Sequence, residues 1–236
     1  GTDNNLEETT GGGAGTGTLD LAAYKWHKAD VNISSALANA FGGKSTYGTD
    51  GETKENKLTL KTGANVTTAI GGDTQTANGT STDNTVTIED GHADTAIGGK
   101  SLGGKSVKNH AITKGGSVTN LKGAQTNGAA AENEVSIQGG TVPDAVGADS
   151  AGDATQNSAV ISAGTVTGTM RGAQAGGKAV KNTAEIKGGT ISGAHIIGAE
   201  SAGDATENSV HITAAATGSA STKITGAVSR NGNATA

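Results

Sequence analysis

A unit of about 25 residues recurs along most of this chain, and no other feature restricts the fold as strongly. Seven copies contain an Asn, and successive Asn residues are 24 to 28 positions apart. After each Asn comes a short segment with apolar residues at every second position, as in Val135 and Ile137. An earlier copy without the Asn contains Val31 and Ile33, which makes eight copies. A repeat of fixed period predicts a stack of similar units that share one continuous core.

Each copy contains three short alternating segments separated by bends, and this pattern favours strands over helices. The segments are too short to form a sheet within one copy, so the sheet has to form between copies, with equivalent strands about 4.8 Å apart. The only aromatic residues are Tyr24, Trp26, Phe41 and Tyr47, so the rest of the chain can build only a narrow core of small aliphatic side chains. The sequence therefore predicts an all-β fold, a single-stranded parallel β-helix (β-solenoid) with about eight turns of 24–28 residues.

Disorder is the competing interpretation of a chain rich in Gly, Thr, Ser and Asn. The aliphatic residues recur at fixed spacing, however, and the chain has one Pro and a net charge of only −5 over 236 residues. The chain has no Lys/Arg cluster, so we expect no nucleic-acid partner. No run of 18 apolar residues occurs, so we expect no direct membrane insertion of this segment. The absence of Cys excludes disulfides and thiolate metal sites.

The repeated Asn has two properties that suit a stacked corner. Asn tolerates the left-handed backbone conformation of a sharp bend, and its amide can donate and accept hydrogen bonds along a column of stacked copies. The alternative is a set of independent Asn-containing turns. Where one copy has Lys just before its Asn, as at Lys108, the next copy usually has an acidic or neutral residue there, such as Glu132, which supports stacking in register. The predicted structural ladder consists of Asn56, Asn84, Asn109, Asn133, Asn157, Asn182 and Asn208.

The chain divides into four predicted parts. Residues 1–18 are expected to be a flexible N-terminal segment, and residues 19–28, which contain large apolar side chains, an N-terminal cap. Residues 29–218 contain the β-helix repeats. Residues 219–236 offer few apolar residues and are expected to form an incomplete turn or a truncated end.

No constellation of catalytic or metal-binding residues stands out from the repeat. Residues 99–106 match the pattern GxxxxGK[ST], but a phosphate-binding loop requires a helix after it, and a strand is predicted there. No two of the five His residues have a metal-ligand spacing. The acid pairs Asp149/Asp153 and Glu200/Asp204 supply fewer oxygens than Ca²⁺ requires. We therefore predict no catalytic residues, no metal site and no cofactor, and we expect that the chain is not an enzyme. A polysaccharide-degrading β-helix is the enzymatic alternative. It lacks support because the sequence shows no group of catalytic acids that would converge in a cleft.

The repeated strings NEVSIQGGTV, NSAVISAGTV and NTAEIKGGTI, together with the intervening IGG, VGA and RGA segments, resemble passenger domains of bacterial autotransporter (type V secreted) adhesins. The resemblance covers about residues 29–218. It implies a right-handed β-helical stalk and a location at the cell surface or outside the cell, with an anchor in an outer-membrane barrel that this segment does not contain.

The resemblance implies that the segment mediates host-cell or cell–cell adhesion, as a stalk or as a contact face. The partner would then be a protein or glycan receptor on a host or bacterial surface, and self-association is a further expectation. No binding residue can be assigned, because the positions shared with the family are structural. The binding residues therefore stay unknown at this level.

Ice binding is the alternative function. The second segment of four copies carries outward Ser or Thr residues on a predicted flat sheet, and ice-binding solenoids resemble this arrangement. Pro143 interrupts the array, and the array covers only four copies: Ser117/Thr119, Thr141/Pro143, Thr165/Thr167 and Thr190/Ser192.

Overall fold

The computed structural model describes residues 8–10, 25–46, 48–213, 217–218 and 221–235, and these residues form an all-β parallel solenoid of about eight turns without a helix. The strands in chain order are β1 (Glu8–Thr10), β2 (Lys25–His27), β3 (Asp30–Ile33), β4 (Ala36–Ser45), β5 (Glu52–Lys54), β6 (Lys57–Leu60), β7 (Asn65–Thr74), β8 (Thr80–Thr82), β9 (Thr85–Ile88), β10 (His92–Ser101), β11 (Ser106–Val107), β12 (His110–Thr113), β13 (Ser117–Thr126), β14 (Ala130–Ala131), β15 (Glu134–Ser150), β16 (Ala154–Thr155), β17 (Ser158–Ala175), β18 (Ala179–Val180), β19 (Thr183–Ile186), β20 (Thr190–Ile191), β21 (His195–Ser201), β22 (Ala205–Thr206), β23 (Ser209–Ile212), β24 (Thr217–Gly218), β25 (Lys223–Ser229) and β26 (Ala234–Thr235). The predicted all-β parallel solenoid of about eight turns is confirmed.

The strands form two sheets that run the length of the rod. A nine-stranded sheet, called here the short sheet, contains one strand of two or three residues from each turn: β2, β5, β8, β11, β14, β16, β18, β22 and β26. The other 17 strands form the long sheet. Equivalent strands of successive turns pair in parallel, so each sheet forms between turns, as the short segments require.

Successive repeats lie directly on one another. Val135 pairs with Ala159, and Ala159 pairs with Ala184, which places equivalent positions of three consecutive turns in one column. The register changes by one residue within β17 and again between β20 and β21, where an additional residue enters the turn. Between the first two turns, the register also changes by two residues from β3 to β4. Within the other strands the pairing is regular because the alternating apolar residues must stay on the inner side.

The core is a narrow aliphatic column, as the composition requires. Leu121, Ile137 and Ile161 are fully buried in the main core, where each such side chain contributes about 1.5–3 kcal/mol through burial. A second, smaller core of Ala residues lies against the short sheet and includes Ala124 and Ala130.

A column of Gly residues separates the two cores. A Cβ atom on Gly123 would lie 2.3 Å from the carbonyl oxygen of Gly147 and 2.8 Å from that of Glu134. Only a residue without a side chain fits where the two halves of a turn approach each other this closely.

The predicted terminal parts contain strands. Residues 25–27 of the predicted cap form β2, which pairs in parallel with β5, and residues 19–24 lie outside the described residues. Within residues 1–18, β1 pairs antiparallel with β4 and covers its edge. Within residues 219–236, β25 and β26 pair with β21 and β22, and Ile224 is 52% exposed.

Candidate functional site

The seven repeated Asn side chains form one buried hydrogen-bonded column. Each amide nitrogen from Asn56 to Asn182 donates to the Oδ1 atom of the next Asn, over 2.8–3.1 Å. The backbone N–H of the same residue donates to the same oxygen, over 2.9–3.1 Å. From Asn84 onward, each amide also donates to a carbonyl of the preceding turn, as Asn133 does to Ser106 over 2.9 Å. These side chains are structural, because their exposed fraction is 2% or less and a ligand cannot reach them.

The interpretation of the Asn as the left-handed corner residue is wrong. The positive φ falls on the residue before each Asn, with values from 54° to 57°, and on Lys28 at the equivalent position before Ala29, with 58°. The Asn has to direct its amide inward to its partners, whereas the preceding residue keeps its side chain at the surface. A left-handed conformation costs a residue with a side chain about 1–2 kcal/mol. The eight corner residues are Lys28, Glu55, Asp83, Lys108, Glu132, Gln156, Lys181 and Glu207.

The corner residues form a column of mostly alternating charge on the rod surface. The Nζ atom of Lys108 lies 3.8 Å from Oε2 of Glu132, and that of Lys181 lies 3.5 Å from Oε2 of Glu207. All four side chains are at least half exposed. Exposed ion pairs of this kind contribute about 0–1 kcal/mol, so they support the register without fixing it.

A furrow runs along the outside of the long strands, between two columns of outward side chains. Phe41 and Lys44 show that the columns face each other, since the Lys44 Nζ atom lies 4.5 Å from the centre of the Phe41 ring. Side chains on this furrow are buried although they point outward; Ile70, for example, is 2% exposed. One column consists of Phe41, Ile70, Ile97, Lys122, Val146, Arg171, Ile197 and Thr225, and the other of Lys44, Asp73, Lys100, Gln125, Asp149, Gln174, Glu200 and Val228.

The C-terminal half of the furrow is polar and contains two depressions of about 280 and 300 Å³. Ion pairs cross it from column to column. Lys122 Nζ lies 2.6 Å from Asp149 Oδ2, and Arg171 Nε lies 3.7 Å from Glu200 Oε2. Arg230 also donates to Glu200 Oε1, from Nε over 3.0 Å. The basic groups are thus matched by acidic groups. The sequence pattern did not reveal these pairs because their members are 27 to 30 residues apart along the chain.

Asp73 is a buried acid in the N-terminal half of the furrow. Its side chain is stacked between Lys44 and Lys100, and its Oδ2 atom accepts a hydrogen bond from Gln75 Nε2 over 2.7 Å. Its Oδ1 atom has no hydrogen-bond partner. Burial raises the pKa of the Asp73 carboxyl above its ordinary value of 3.8, although Lys100, Gln75 and Lys44 act in the opposite direction. The ionised carboxylate of Asp73 therefore destabilises the folded rod.

The outward Ser/Thr array is only partly regular. Ser117, Thr141, Thr165 and Thr190 do form one column on paired strands. The companion positions include Pro143, which lies at a register shift between β15 and β17. A flat double array of hydroxyls is therefore interrupted at this point.

One group of side chains has the composition of a hydrolytic triad. His92 Nδ1 lies 2.7 Å from Ser117 Oγ, and His92 Nε2 lies 3.0 Å from Asp94 Oδ1. Hydrolytic triads also need free N–H groups that stabilise the oxyanion. The backbone N–H groups of His92 and Ser117 already donate to Ala64 and Gly91 of the neighbouring turn. We therefore interpret the group as a lateral hydrogen-bond chain between turns.

The motifs discounted from the sequence have structural positions on the rod. Residues 99–106 run from the end of β10 into β11, without a helix. The described part of the chain contains no group of three or more His, Asp or Glu side chains placed to share a metal ion. Within the described ranges, no helix is long and apolar enough to cross a bilayer.

Comparison with protein-family models, with curated proteins and with solved structures gave no match to the chain. The geometry of the lateral surfaces is therefore the basis for a functional proposal.

Proposed function

We propose that the chain is a rod-shaped segment of an extracellular adhesin, which contacts a receptor or another cell through its lateral surfaces and performs no catalysis. The observation that carries this proposal is the unbroken stacking of about eight turns in register. Each turn adds one residue to every lateral column, so surfaces of similar chemistry extend along the whole rod.

A rod of this kind is suited to contact rather than to chemistry. Nine strands spaced about 4.8 Å apart give a side of about 40 Å. Weak contacts repeated along such a side, or between many rods on one cell, add up through effective concentration. The polar furrow and the charged corner column are the lateral features that offer specific contacts.

The autotransporter route is the proposed mode of display. It is supported by the β-solenoid architecture and by the absence of Cys, which suits a chain that crosses the periplasm unfolded. The sequence that flanks this segment in its gene tests the route: we expect an outer-membrane anchoring domain of alternating strands downstream. A different downstream anchor would contradict it.

Adhesion can be measured with beads that carry the purified chain. We expect coated beads to bind cultured host cells, bacterial cells or one another more strongly than beads coated with the unfolded variant Ile137→Asp. Arrays of glycans and of surface proteins would then identify the receptor class. Binding no stronger than this control in all three assays would overturn the adhesive function.

The Ser/Thr column is the observation that favours ice binding. Because the companion column is interrupted at Pro143, we expect thermal hysteresis of the purified chain at the level of buffer. A clear hysteresis gap would instead assign the Ser/Thr face to ice.

A further inference from the structure

The outer face of the short sheet, called here the pairing face, presents three parallel columns of side chains. The middle column points outward from the strands, the leading column lies two residues before it, and the corner column lies one residue after it. The leading column consists of Glu52, Thr80, Lys105, Ala129, Asp153, Lys178 and Asp204. The middle column contains His27, Lys54, Thr82, Val107, Ala131, Thr155, Val180 and Thr206. The corner column contains the eight residues with positive φ.

The chemistry across the pairing face is that of an interface. From Thr82 to Thr206 the middle column contains only uncharged Thr, Val and Ala side chains, all partly exposed. The two flanking columns carry the charges. An uncharged centre with a charged rim is the usual layout of a protein–protein interface.

The charges are self-complementary under one particular symmetry. A two-fold axis that lies between the turns of Lys108 and Glu132, parallel to the strands, turns a second copy upside down and places it face to face with the first. Each column then meets its own reversed copy, as an isologous contact requires. The corner column pairs Lys28 with Glu207, Glu55 with Lys181, Asp83 with Gln156 and Lys108 with Glu132; the leading column pairs Glu52 with Lys178, Thr80 with Asp153 and Lys105 with Ala129.

Other arrangements bring like charges together. A parallel two-fold dimer places the leading column opposite the corner column of the same turn, and four turns then carry equal signs: Glu52 with Glu55, Lys105 with Lys108, Lys178 with Lys181, and Asp204 with Glu207. An antiparallel dimer whose two-fold axis is moved by half the spacing between turns places Lys108 of one copy opposite Lys108 of the other, or Glu132 opposite Glu132. Like-charge contacts of this kind discriminate against the wrong partner geometry.

We propose that the pairing face binds the same face of a second copy in antiparallel orientation, with Lys108 of each copy opposite Glu132 of the other. This pairing deepens the adhesive function proposed above and rests on it. Rods that project from one cell run in the same direction, so antiparallel pairing joins rods on opposing cells and excludes neighbours on the same cell.

The size of the face makes a single pair weak. A strip about 40 Å long and about 10 Å wide buries about 800 Å² in total, below the range of about 1,200–2,000 Å² for stable complexes. The ion pairs within one rod do not oppose the contact strongly, because Lys108–Glu132 and Lys181–Glu207 are long and exposed. Pairing should therefore be visible between multivalent surfaces and weak between free chains.

Charge reversal with mixing tests the pairing. An acidic variant, Lys108→Glu/Lys181→Glu, and a basic variant, Glu55→Lys/Glu132→Lys, each place like charges opposite one another in a homotypic pair. A mixed pair of the two variants restores opposite charges at all four contacts. With beads that carry the chains, we expect each variant alone to need on the order of tenfold more beads for half-maximal clumping, because four weak contacts change sign together. We expect a one-to-one mixture to clump like the original chain, and clumping of the original chain to fall at about 1 M salt, where the Debye length is about 3 Å.

Matched variants on the long sheet control for net charge. Lys114→Glu/Lys187→Glu and Asp90→Lys/Asp94→Lys change the net charge by the same amounts at exposed positions on or next to strands of the long sheet, outside the pairing face. We expect each of them alone to clump like the original chain. Equal loss with these variants, or no rescue in the mixture of the acidic and basic variants, would overturn the pairing.

Single Cys residues report the orientation, since the chain has none of its own. In the antiparallel pair, position 54 of one copy faces position 180 of the other. We expect oxidation of mixed Lys54→Cys and Val180→Cys beads to yield cross-linked heterodimers, and either variant alone to yield few dimers. Dominant Val180–Val180 cross-links would show a parallel pair and overturn the proposal. Beads that bind host cells but never one another would overturn the pairing and leave the adhesive function standing, whereas failure of both would overturn both.

Discussion

Replacement of Asn157 by Asp tests whether the buried amide column holds the turns together. The Oδ1 atom of Asn157 accepts from the backbone N–H of Asn133 over 3.0 Å and from its amide over 2.9 Å. The Nδ2 atom of Asn157 donates to the carbonyl of Ala130 over 3.2 Å and to Oδ1 of Asn182 over 2.9 Å. Asp has nearly the same shape and keeps both acceptor contacts, but a carboxylate cannot donate, so it faces two oxygens.

The expected loss follows from these contacts. A protonated carboxyl can donate only one of the two hydrogen bonds that the amide donates, so one buried oxygen loses a donor, at a cost of about 1–3 kcal/mol. Ionisation adds to this. Burial raises the pKa of the new carboxyl in the folded state, so the folded state binds its proton more tightly than the unfolded state. Stability is then retained below the ordinary pKa of about 3.9 and falls by about 1.4 kcal/mol per pH unit above it, until the raised pKa is reached.

Urea unfolding followed by circular dichroism, at several pH values, measures this loss. Hydrogen exchange resolved by peptide shows whether the turns next to Asn157 open first, as expected for a stack with nearest-neighbour stabilisation. Asn127→Asp is the control, because Asn127 is exposed and a surface change usually costs less than about 0.5 kcal/mol. Equal stability of Asn157→Asp and the original chain at neutral pH would refute the structural role of the column.

Three further changes test the core, the furrow and the Gly column. Ile137→Asp places a charge in the fully buried core, so we expect loss of the β signal in circular dichroism at neutral pH, whereas Ile212→Asp, at a position that is 55% exposed, should leave the signal unchanged. Asp73→Asn should raise the midpoint of urea unfolding at neutral pH. Because the pKa of Asp73 is raised in the folded state, the stability that its protonated carboxyl allows is present below pH 3.8 and is lost as the pH rises through the raised pKa. A lower midpoint for this variant would show instead that attraction to the neighbouring lysines prevails. Gly123→Ala should destabilise the rod by about 1–3 kcal/mol in the same assay, because the new Cβ lies 2.3 Å from a carbonyl oxygen, and an unchanged midpoint would contradict the close approach of the two halves of a turn.

Several features of the rod could be read from the sequence because they repeat. The spacing of the Asn residues gave the length of a turn, and the alternation after each Asn gave the strand with its inner positions, such as Val135 and Ile137. The amide chemistry of Asn suggested a hydrogen-bonded column. The left-handed conformation was assigned one residue too late along the chain. The repeat shows where each corner lies but not which of two adjacent residues has the positive φ. The inward direction of the Asn side chain leaves the positive φ to the residue before it.

The sequence by itself determined that the turns stack, since the chain has too few large side chains for any core other than a narrow shared column. It did not determine which outward residues meet. Lys122 and Asp149 approach within 2.6 Å because one turn lies on the next and the long strands bend, so a distance of 27 residues along the chain becomes a contact across the furrow. The pairing face has the same origin: a column of charges exists only once equivalent residues of successive turns are aligned. Inward positions obey a strict period of two, because burial penalises any slip. Outward positions are free of that constraint, and their neighbours are set by the tertiary path of each turn.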